Sequence, residues 1–352
     1  MMTLRTLADL PQIDYSSIMS KLIETRSNIS VLKGACFGMP NPSLLLSPSL
    51  IREALESSEI ENIVTTLADV LQAQLFSEPE RPSADKEVLR YNYALHAGLD
   101  EMANRYLGIN TIRAVHRVLI PDEPDFRKTQ NALVNQNTGE VVYTPVSPSE
   151  IRYYLSDLEQ FLNENKELDP VLKTILIHYQ FEAIHPFGDG NGRTGRILIV
   201  LCMVYLGLLD LPVMFISEYI NNHKAQYYQA FHGVNERGDF IGFIKYMLEA
   251  LNGQAKKSTR TLLEIQELYN LERHEIRSRL PKIYSRDLVD VIFSQPLMTS
   301  KRYEEMTGVS YPTALSHLRQ LEEAGIMVSK DVGKYRIFTN IQLMAYLNRK
   351  RS

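Results

Sequence analysis

The sequence has little cysteine and no apolar run of membrane-spanning length. Its two cysteines, Cys36 and Cys202, form neither a disulfide framework nor a CxxC metal motif, so we expect a reducing compartment, the cytoplasm. The N-terminal stretch MMTLRTLADLPQIDYSS lacks the apolar core of a signal peptide. The apolar run 197–209, ILIVLCMVYLGLL, is shorter than the roughly 20 residues of a spanning helix. It predicts a buried helix of a soluble protein without a membrane partner.

The chain also lacks a strong charge of one sign. It has 38 basic and 42 acidic residues in 352, a net charge of −4, so the molecule as a whole is not built around nucleic acid. Its length predicts two or three domains. We divide it into an N-terminal helical region (1–100), a central core (101–252), a charged connecting helix (253–280) and a C-terminal domain (281–352).

Helical periodicity dominates the first 280 residues, and several helices open with a start signal. Ser47-Pro48, Ser147-Pro148 and Asp169-Pro170 each place a capping side chain before a proline. Apolar spacing also predicts helices within 61–76, 82–99 and 110–120. The exception is ALVNQNTGEVVYTPVSP, which predicts a β-hairpin of Leu133–Val134 against Val141–Tyr143.

The C-terminal domain has the element order of a winged helix-turn-helix. Helices precede and follow a turn at Gly308, and two short strands flank Gly333. Residues 281–352 carry 11 basic and 7 acidic side chains, a charge of +4, which favours DNA binding weakly. The alternative is a winged helix that contacts protein. The side chains available to DNA are Tyr311, Thr313, Ser316, His317, Arg319 and Gln320 on the second helix, and Lys334 and Arg336 on the wing.

The densest group of functional residue types is HPFGDGNGRTGR, residues 185–196. Its glycines match the dinucleotide fingerprint GxGxxG, but an amphipathic helix precedes them where that fingerprint needs a strand. The P-loop lysine is missing. A glycine loop that feeds a helix N-terminus remains, with Arg193 and Arg196 on one face of the first turn, an arrangement suited to a polyphosphate. Asp189 is placed to hold Mg²⁺, and His185 to take a proton from a hydroxyl.

This stretch resembles the Fic (filamentation induced by cAMP) signature HxFx[DE]GNGRxxR and agrees with it at every fixed position. The resemblance extends over roughly 39–251. It implies a mainly α fold with a helical core and a β-hairpin flap, to which the C-terminal winged helix is added. It also implies transfer of AMP from ATP to a Ser, Thr or Tyr hydroxyl of a protein.

The resemblance implies a role for each position of the motif. His185 would be the general base, and Asp189 would hold Mg²⁺ on the α- and β-phosphates. Arg193 would contact the β-phosphate and Arg196 the γ-phosphate. Phe187 would pack inward and fix the loop. The other expected nucleotide contacts are Asn191 and the amides around Gly190 and Gly192 at the α-phosphate, Gly188 elsewhere in the loop, Tyr227 and Asn235 at the adenosine, and Leu133 and Val134 in the flap. For Tyr227 and Asn235, a core aromatic and a helix-end Asn are equally open interpretations.

The flap departs from the family pattern. This chain has QNALVNQNTGE where the family has a sequence like QNWIGG, so the aromatic residue and the paired glycines are missing. The hairpin still resembles a flap that aligns a target chain by strand addition. The choice of target does not follow from this sequence.

An upstream segment resembles the family's inhibitory motif [ST]xxxE[GN]. It is ESSEIENI, with Ser57 and Glu61 at the fixed positions. Glu61 would pair with Arg196 in place of the γ-phosphate, since a carboxylate fits the same guanidinium fork. The alternative is that Ser58 and Glu61 form a capping box for the next helix. One carboxylate cannot serve both purposes.

We therefore expect an adenylyltransferase that uses ATP and Mg²⁺, is inhibited through Glu61, and modifies a hydroxyl of a partner protein or of itself. Two alternatives stay open: removal of AMP from a modified protein at the same site, and a DNA-binding regulator whose core only senses nucleotide. Further expected partners are DNA through 281–352 and a second copy of the chain in a homodimer.

Overall fold

The computed structural model describes residues 4–7, 13–37, 42–76, 82–123, 125–134 and 141–349, and most of them are helical. A 3-10 turn, Ser16–Ile18, precedes the first α-helix. In chain order the helices are α1 (Met19–Phe37), α2 (Pro42–Ile60), α3 (Leu67–Ala73), α4 (Ser83–Asn104), α5 (Ile109–Leu119), α6 (Ile151–Glu164), α7 (Pro170–Ile184), α8 (Asn191–Tyr205), α9 (Ser217–Asn222), α10 (Lys224–Arg237), α11 (Phe240–Arg279), α12 (Arg286–Ser294), α13 (Ser300–Thr307), α14 (Tyr311–Glu323) and α15 (Ile341–Leu347).

The strands form two small antiparallel sheets. The first pairs β1 (Leu133–Val134) with β2 (Val141–Tyr143), which are the two strands predicted for the hairpin. The residues between them, 135–140, lie outside the described part of the chain, as do the side chains of Leu133 and Val134. The second sheet has the order β3-β5-β4, with β3 at Leu297–Met298, β4 at Met327–Val332 and β5 at Tyr335–Asn340.

The chain divides into two compact units. Unit 1 contains 1–33, 56–63 and 90–258, and unit 2 contains 34–55, 64–89 and 259–352. The core of unit 1 is formed by α7 and α8, in which nearly every side chain is buried. The apolar run 197–209 begins inside α8, as expected for a buried helix. In the described part of the chain, no helix has both the length and the apolar character that crossing a membrane requires.

Unit 2 contains the predicted C-terminal elements in the predicted order. Gly308 ends α13 with a φ of 71°, and Gly333 turns between β4 and β5 with a φ of 57°, values that favour glycine. The interior includes a buried carboxyl, Glu272, whose Oε1 accepts a hydrogen bond from Nδ2 of Asn340 at 2.7 Å. On the wing, Arg336 binds Glu322 and Ser329 of its own unit.

Three helix boundaries differ from the sequence prediction. The helix containing Pro48 begins at an earlier proline, Pro42, which fits the first helical position equally well. The segment 61–76 is helical only over 67–73, because the chain turns at Asn62 with a positive φ of 63°. The helix after Ser147 begins at Ile151, since Ser147 and Glu150 first form a turn by hydrogen bonds. The charged helix predicted over 253–280 is the C-terminal part of α11, which begins earlier, at Phe240.

Candidate active site

The loop between α7 and α8 carries His185 at the point where α7 ends. Asp169 caps the start of α7 by accepting from the amide of Val171 at 2.8 Å, as its sequence predicts. At the other end His185 has φ 49° and ψ 60°, a left-handed conformation that stops the helix. Burial lowers the pKa of His185 to about 4, so its imidazole is neutral at pH 7 and can accept a proton.

The loop is closed by Asn191, the first residue of α8. Its Oδ1 accepts from the amide of Phe187 at 2.9 Å, and its Nδ2 donates to the carbonyl of Phe187 at 2.9 Å. The α-phosphate contact expected for Asn191 stays a prediction, and in this structure Oδ1 and Nδ2 of its side chain each make one bond to the main chain. Asn191 therefore shapes the loop, and its backbone amide lies in the first turn of α8, where amides have no intrahelical partner.

Two glycines of the loop meet conditions that a side chain would not satisfy. Gly190 has a φ of 73°, and a Cβ there would lie 2.8 Å from Cγ1 of Ile120. Gly192, in the first turn of α8, packs directly against Oε1 of Glu61, and a Cβ there would lie 2.9 Å from Nη1 of Arg196. The main chain of this turn is therefore open to close approach by an anion.

Asp189 is the exposed acid of the site. Its side chain is 71% exposed, its Oδ1 accepts from the amide of Gly190 at 2.6 Å, and its Oδ2 lies 3.5 Å from Nη2 of Arg193. Among the described residues, no three His, Cys, Asp or Glu side chains group together as a protein-only metal site. A single exposed carboxylate nevertheless fits Mg²⁺, which binds through one or two carboxylates, water and substrate phosphates.

Arg193 and Arg196 both lie inside unit 1. Arg193 is 1% exposed and Arg196 is 5% exposed. Arg196 is contacted by residues 56–63, which we call the inhibitory segment after the role expected of them. Its Nε donates to Oγ of Ser57 at 2.8 Å, and its Nη2 donates to the carbonyl of Ser57 at 2.8 Å and to Oε1 of Glu61 at 2.9 Å. The predicted ion pair between Glu61 and Arg196 is thus present in the structure.

Glu61 follows the last residue of α2 and does not start a helix. The next helix, α3, begins at Leu67 and is capped by Thr66, whose side chain accepts from the amide of Asp69. The capping-box alternative for Ser58 and Glu61 is therefore wrong, because Glu61 lies in the turn that ends α2 and not in the first turn of a helix. Burial acts to raise the pKa of Glu61, but the charge and hydrogen bond of Arg196 hold it below its ordinary value, so the pair is ionised at pH 7.

The two residues expected at the adenosine lie on α10 and are mostly buried. The hydroxyl of Tyr227 lies 3.0 Å from Nε2 of His178, and the Asn235 Oδ1 accepts from the hydroxyl of Tyr179 at 2.8 Å. These contacts favour the core interpretation for Tyr227. Asn235 differs, because its Nδ2 is a buried donor that makes no hydrogen bond with the described residues.

Sequence reasoning missed His116, which supports the loop from α5. Its ring stacks on Phe187 with centroids 3.6 Å apart, and its Nε2 lies 2.9 Å from the carbonyl oxygen of Asp189. Because a carbonyl only accepts, Nε2 carries the proton. Burial lowers the pKa of His116, in keeping with a neutral ring. The only sequence signal was a histidine on the apolar face of α5, which is typical of many core histidines.

Glu182 and Arg127 were also missed. Glu182 precedes His185 on α7, and its Oε1 is buried against the α-carbon of Gly195 without a hydrogen-bond partner among the described residues. Burial raises the pKa of Glu182 to about 7. Arg127 is 7% exposed, and its Nε donates to the carbonyl of His185 at 2.9 Å. No local pattern in the sequence distinguishes either residue from an ordinary surface charge.

Parts of the chain match known protein families. Residues 19–100 match the family described as Fic/DOC family N-terminal, 106–203 match the Fic/DOC family, and 268–343 match the C-terminal domain of SoFic-like protein adenylyltransferases. A probable protein adenylyltransferase of Aquifex aeolicus is 38% identical over 199 residues, which are 55% of this chain and 56% of that protein. The protein adenylyltransferase fic-1 of Caenorhabditis elegans is 37% identical over 107 residues, 30% of this chain and 20% of that protein.

Solved structures show the same fold. A Fic family protein from Desulfovibrio desulfuricans superposes with a TM-score of 0.60 at 20% identity, over 97% of this chain and 99% of that one. Fic-1 of Caenorhabditis elegans superposes with a TM-score of 0.55 at 22% identity, over 72% of this chain and 75% of that one. The chain therefore spans about half of the Aquifex aeolicus protein and about a fifth of the curated Caenorhabditis elegans protein. With its signature motif, three family matches and a shared fold, the chain belongs to the Fic/DOC family.

Proposed function

We propose that this protein is a protein adenylyltransferase that transfers AMP from ATP to a protein hydroxyl and is inhibited by its own Glu61. The observation that carries the proposal is the arrangement at the start of α8. The loop and the first turn of α8 bring together a neutral imidazole, two arginines and a helix N-terminus whose glycines leave the main chain accessible. Glu61 binds the second of these arginines, Arg196.

The chemistry assigns His185 the proton transfer. The target hydroxyl gives its proton to His185 as its oxygen forms a bond to the α-phosphorus of ATP. The bond from that phosphorus to the bridging oxygen of the β-phosphate breaks, and pyrophosphate leaves. The first-turn amides of α8 face the oxygens on which charge grows, and preorganised donors of this kind supply much of the catalysis in enzymes. Mg²⁺ held beside Asp189 would neutralise phosphate charge.

The inhibited state follows from the partners of Arg196. Three hydrogen bonds to Ser57 and Glu61 occupy the guanidinium, and Oε1 of Glu61 lies against Gly192 at the anion-binding turn. A γ-phosphate would need the same guanidinium fork. With Glu61 in place, ATP that binds is displaced from the geometry needed for attack, and misplacement of this kind strongly lowers the rate.

The test compares four proteins with α-labelled ATP and Mg²⁺ in a soluble bacterial cell extract: wild type, Glu61→Gly, His185→Ala and the double variant. We expect label on protein with Glu61→Gly, at least about tenfold above wild type, and none with either His185→Ala protein. Equal labelling by Glu61→Gly and by the double variant would refute a base at His185. Equal labelling by wild type and Glu61→Gly would refute the inhibition.

The alternatives predict other outcomes of the same experiment. Release of AMP from a labelled protein by wild type would favour the reverse reaction. Absence of label with all four proteins, together with retention on DNA, would favour the regulator. Neither the described residues nor the matches to known proteins support the DNA partner or the homodimer, so the transferase is preferred.

A further inference from the structure

The last turn of α7 is held by residues 126–134 and 141–146, which we call the hairpin segment. The hydroxyl of Tyr143, on β2, donates to the carbonyl of Ala183 at 2.9 Å. Arg127, just before the hairpin, reaches the next three carbonyls: its Nη2 lies 3.5 Å from that of Ile184, its Nε 2.9 Å from that of His185, and its backbone amide 2.9 Å from that of Pro186. Four consecutive carbonyls around the proposed base are therefore bound from the hairpin segment.

Arg127 also joins the two chain ends of the hairpin segment. Its Nη1 donates to the carbonyl of Thr129 at 3.2 Å, and its Nη2 donates to the carbonyl of Val146. One buried guanidinium thus joins both ends of the hairpin segment to the end of α7. A planar fork with five donors can make these contacts together, whereas the ammonium of a lysine presents one compact point of charge.

The neighbouring residue strengthens this junction. The ring of Phe126 packs on that of Phe187, with centroids 5.4 Å apart, so side chain and main chain of the loop are both contacted from this short segment. His185 itself has a left-handed backbone, which is sparsely populated by non-glycine residues and persists where surrounding contacts hold it. The Arg127 bond to the His185 carbonyl is one of those contacts.

We propose that Arg127 is a positioning residue for AMP transfer, which holds the backbone of His185 and ties the base to the stem of the hairpin. The inference rests on the proposed function and deepens it, because the hairpin is the element expected to align the target chain. Arg127 acts through His185, whose carbonyl it binds.

The charge of Arg127 provides a readout that a purely structural role would not move. Burial lowers the pKa of His185, the positive charge of Arg127 lowers it further, and the negative charges of Glu61 and Asp189 and the carbonyl of Glu182 raise it. Loss of the guanidinium charge should therefore shift the ionisation of His185 to higher pH, whereas a neutral change of packing at the same place should not.

The experiment uses the full chain with Glu61→Gly and measures self-labelling with α-labelled ATP, the protein being its own acceptor. Arg127→Met is compared with Arg127→Lys and with Tyr143→Phe, which removes only the bond to Ala183. We expect Arg127→Met to lower the labelling rate at saturating ATP at least about tenfold, with half-saturation by ATP changed less than about twofold. Arg127→Lys should keep the pH dependence but regain little of the rate. An unchanged rate in Arg127→Met overturns the proposal.

A second measurement applies if the Glu61→Gly protein does not label itself. It tests the contact between Arg127 and His185 without AMP transfer, so failure of the proposed function is distinguished from failure of this inference. NMR titration of ¹³C-labelled histidine, with the His185 signal assigned by His185→Ala, gives the ionisation midpoint in each variant. Arg127→Met should raise the midpoint of His185, and Arg127→Lys should leave it nearer that of the parent. Equal midpoints in all three proteins overturn the proposal. If Arg127→Met does not fold, Arg127→Lys alone decides, through its loss of rate.

Discussion

Oε1 of Glu61 packs against the α-carbon of Gly192 while it accepts the hydrogen bond of Arg196. The carboxylate therefore occupies two features at once, the guanidinium and the open first turn of α8. Both features are typical anion-binding groups. This double occupation makes the inhibitory hypothesis testable at residues other than Glu61.

Ser57 supplies a side-chain bond to Arg196 that can be removed without changing charge. Its Oγ accepts from Nε of Arg196 at 2.8 Å, while its carbonyl remains available in any variant. Because one such bond contributes about 1 kcal/mol, Ser57→Ala should raise AMP transfer about fivefold over wild type. The labelling assay should place it below Glu61→Gly. In the Glu61→Gly protein, adding Ser57→Ala should leave the rate of AMP transfer unchanged. A further increase of that rate in the double variant would contradict this account.

Lys224 is expected to keep the inhibitory segment docked. Its Nζ donates to the carbonyl of Ile60, the last residue of α2, at 2.6 Å, where a cation is favoured by the helix dipole. Lys224→Met should therefore raise basal AMP transfer about three- to tenfold, as a loss of roughly 1 kcal/mol implies. Exposed Lys166→Met serves as the matched control. Basal activity equal in Lys224→Met and the control would show that this contact does not hold the segment.

His116 is expected to act on the loop through one hydrogen bond. His116→Phe keeps an aromatic ring against Phe187 but removes the donor to the carbonyl of Asp189. In the Glu61→Gly protein it should lower labelling about tenfold with a small change in Tm. His116→Ala removes the ring too and should lower the free energy of unfolding by about 2–3 kcal/mol. Full activity of the Phe variant would mean that the bond is dispensable.

Glu182 should make stability depend on pH. Its pKa is about 7 in the folded protein against 4.5 for the ordinary carboxyl, and burial is the cause. The stabilisation that this group gives is complete below pH 4.5 and is lost as pH rises through 7. Glu182→Gln removes that loss, so it should raise the free energy of unfolding by about 3 kcal/mol at pH 8 relative to wild type, and by about 1 kcal/mol at pH 5. Urea titrations at both pH values measure the difference. An equal difference at both values would exclude ionisation of Glu182 as its cause.

The sequence predicted the local parts of this molecule well. The hairpin strands, the Asp169 cap, the glycine turns at Gly308 and Gly333, and the buried run of α8 all depend on residues within a few positions of one another. Periodicity and turn chemistry act over that range. The ion pair of Glu61 with Arg196 was predicted across a long stretch of chain only because two family motifs named its partners.

The rest could not be predicted because it depends on tertiary packing. His116 and Arg127 reach the loop from more than fifty positions away, and nothing near them in the sequence indicates that contact. Asn191 shows the same limit at short range. Its place in the motif predicted a ligand contact but not the two bonds that its side chain makes to the main chain of Phe187.

The bonds between Asn191 and Phe187 have a thermodynamic consequence. They close a short ring of chain, and α7 and α8 hold that ring at both ends. The conformational entropy of ordering the loop is therefore lost once, when the protein folds, and is not lost again at each turnover. The backbone of the loop before α8 is therefore ordered by the chain's own contacts.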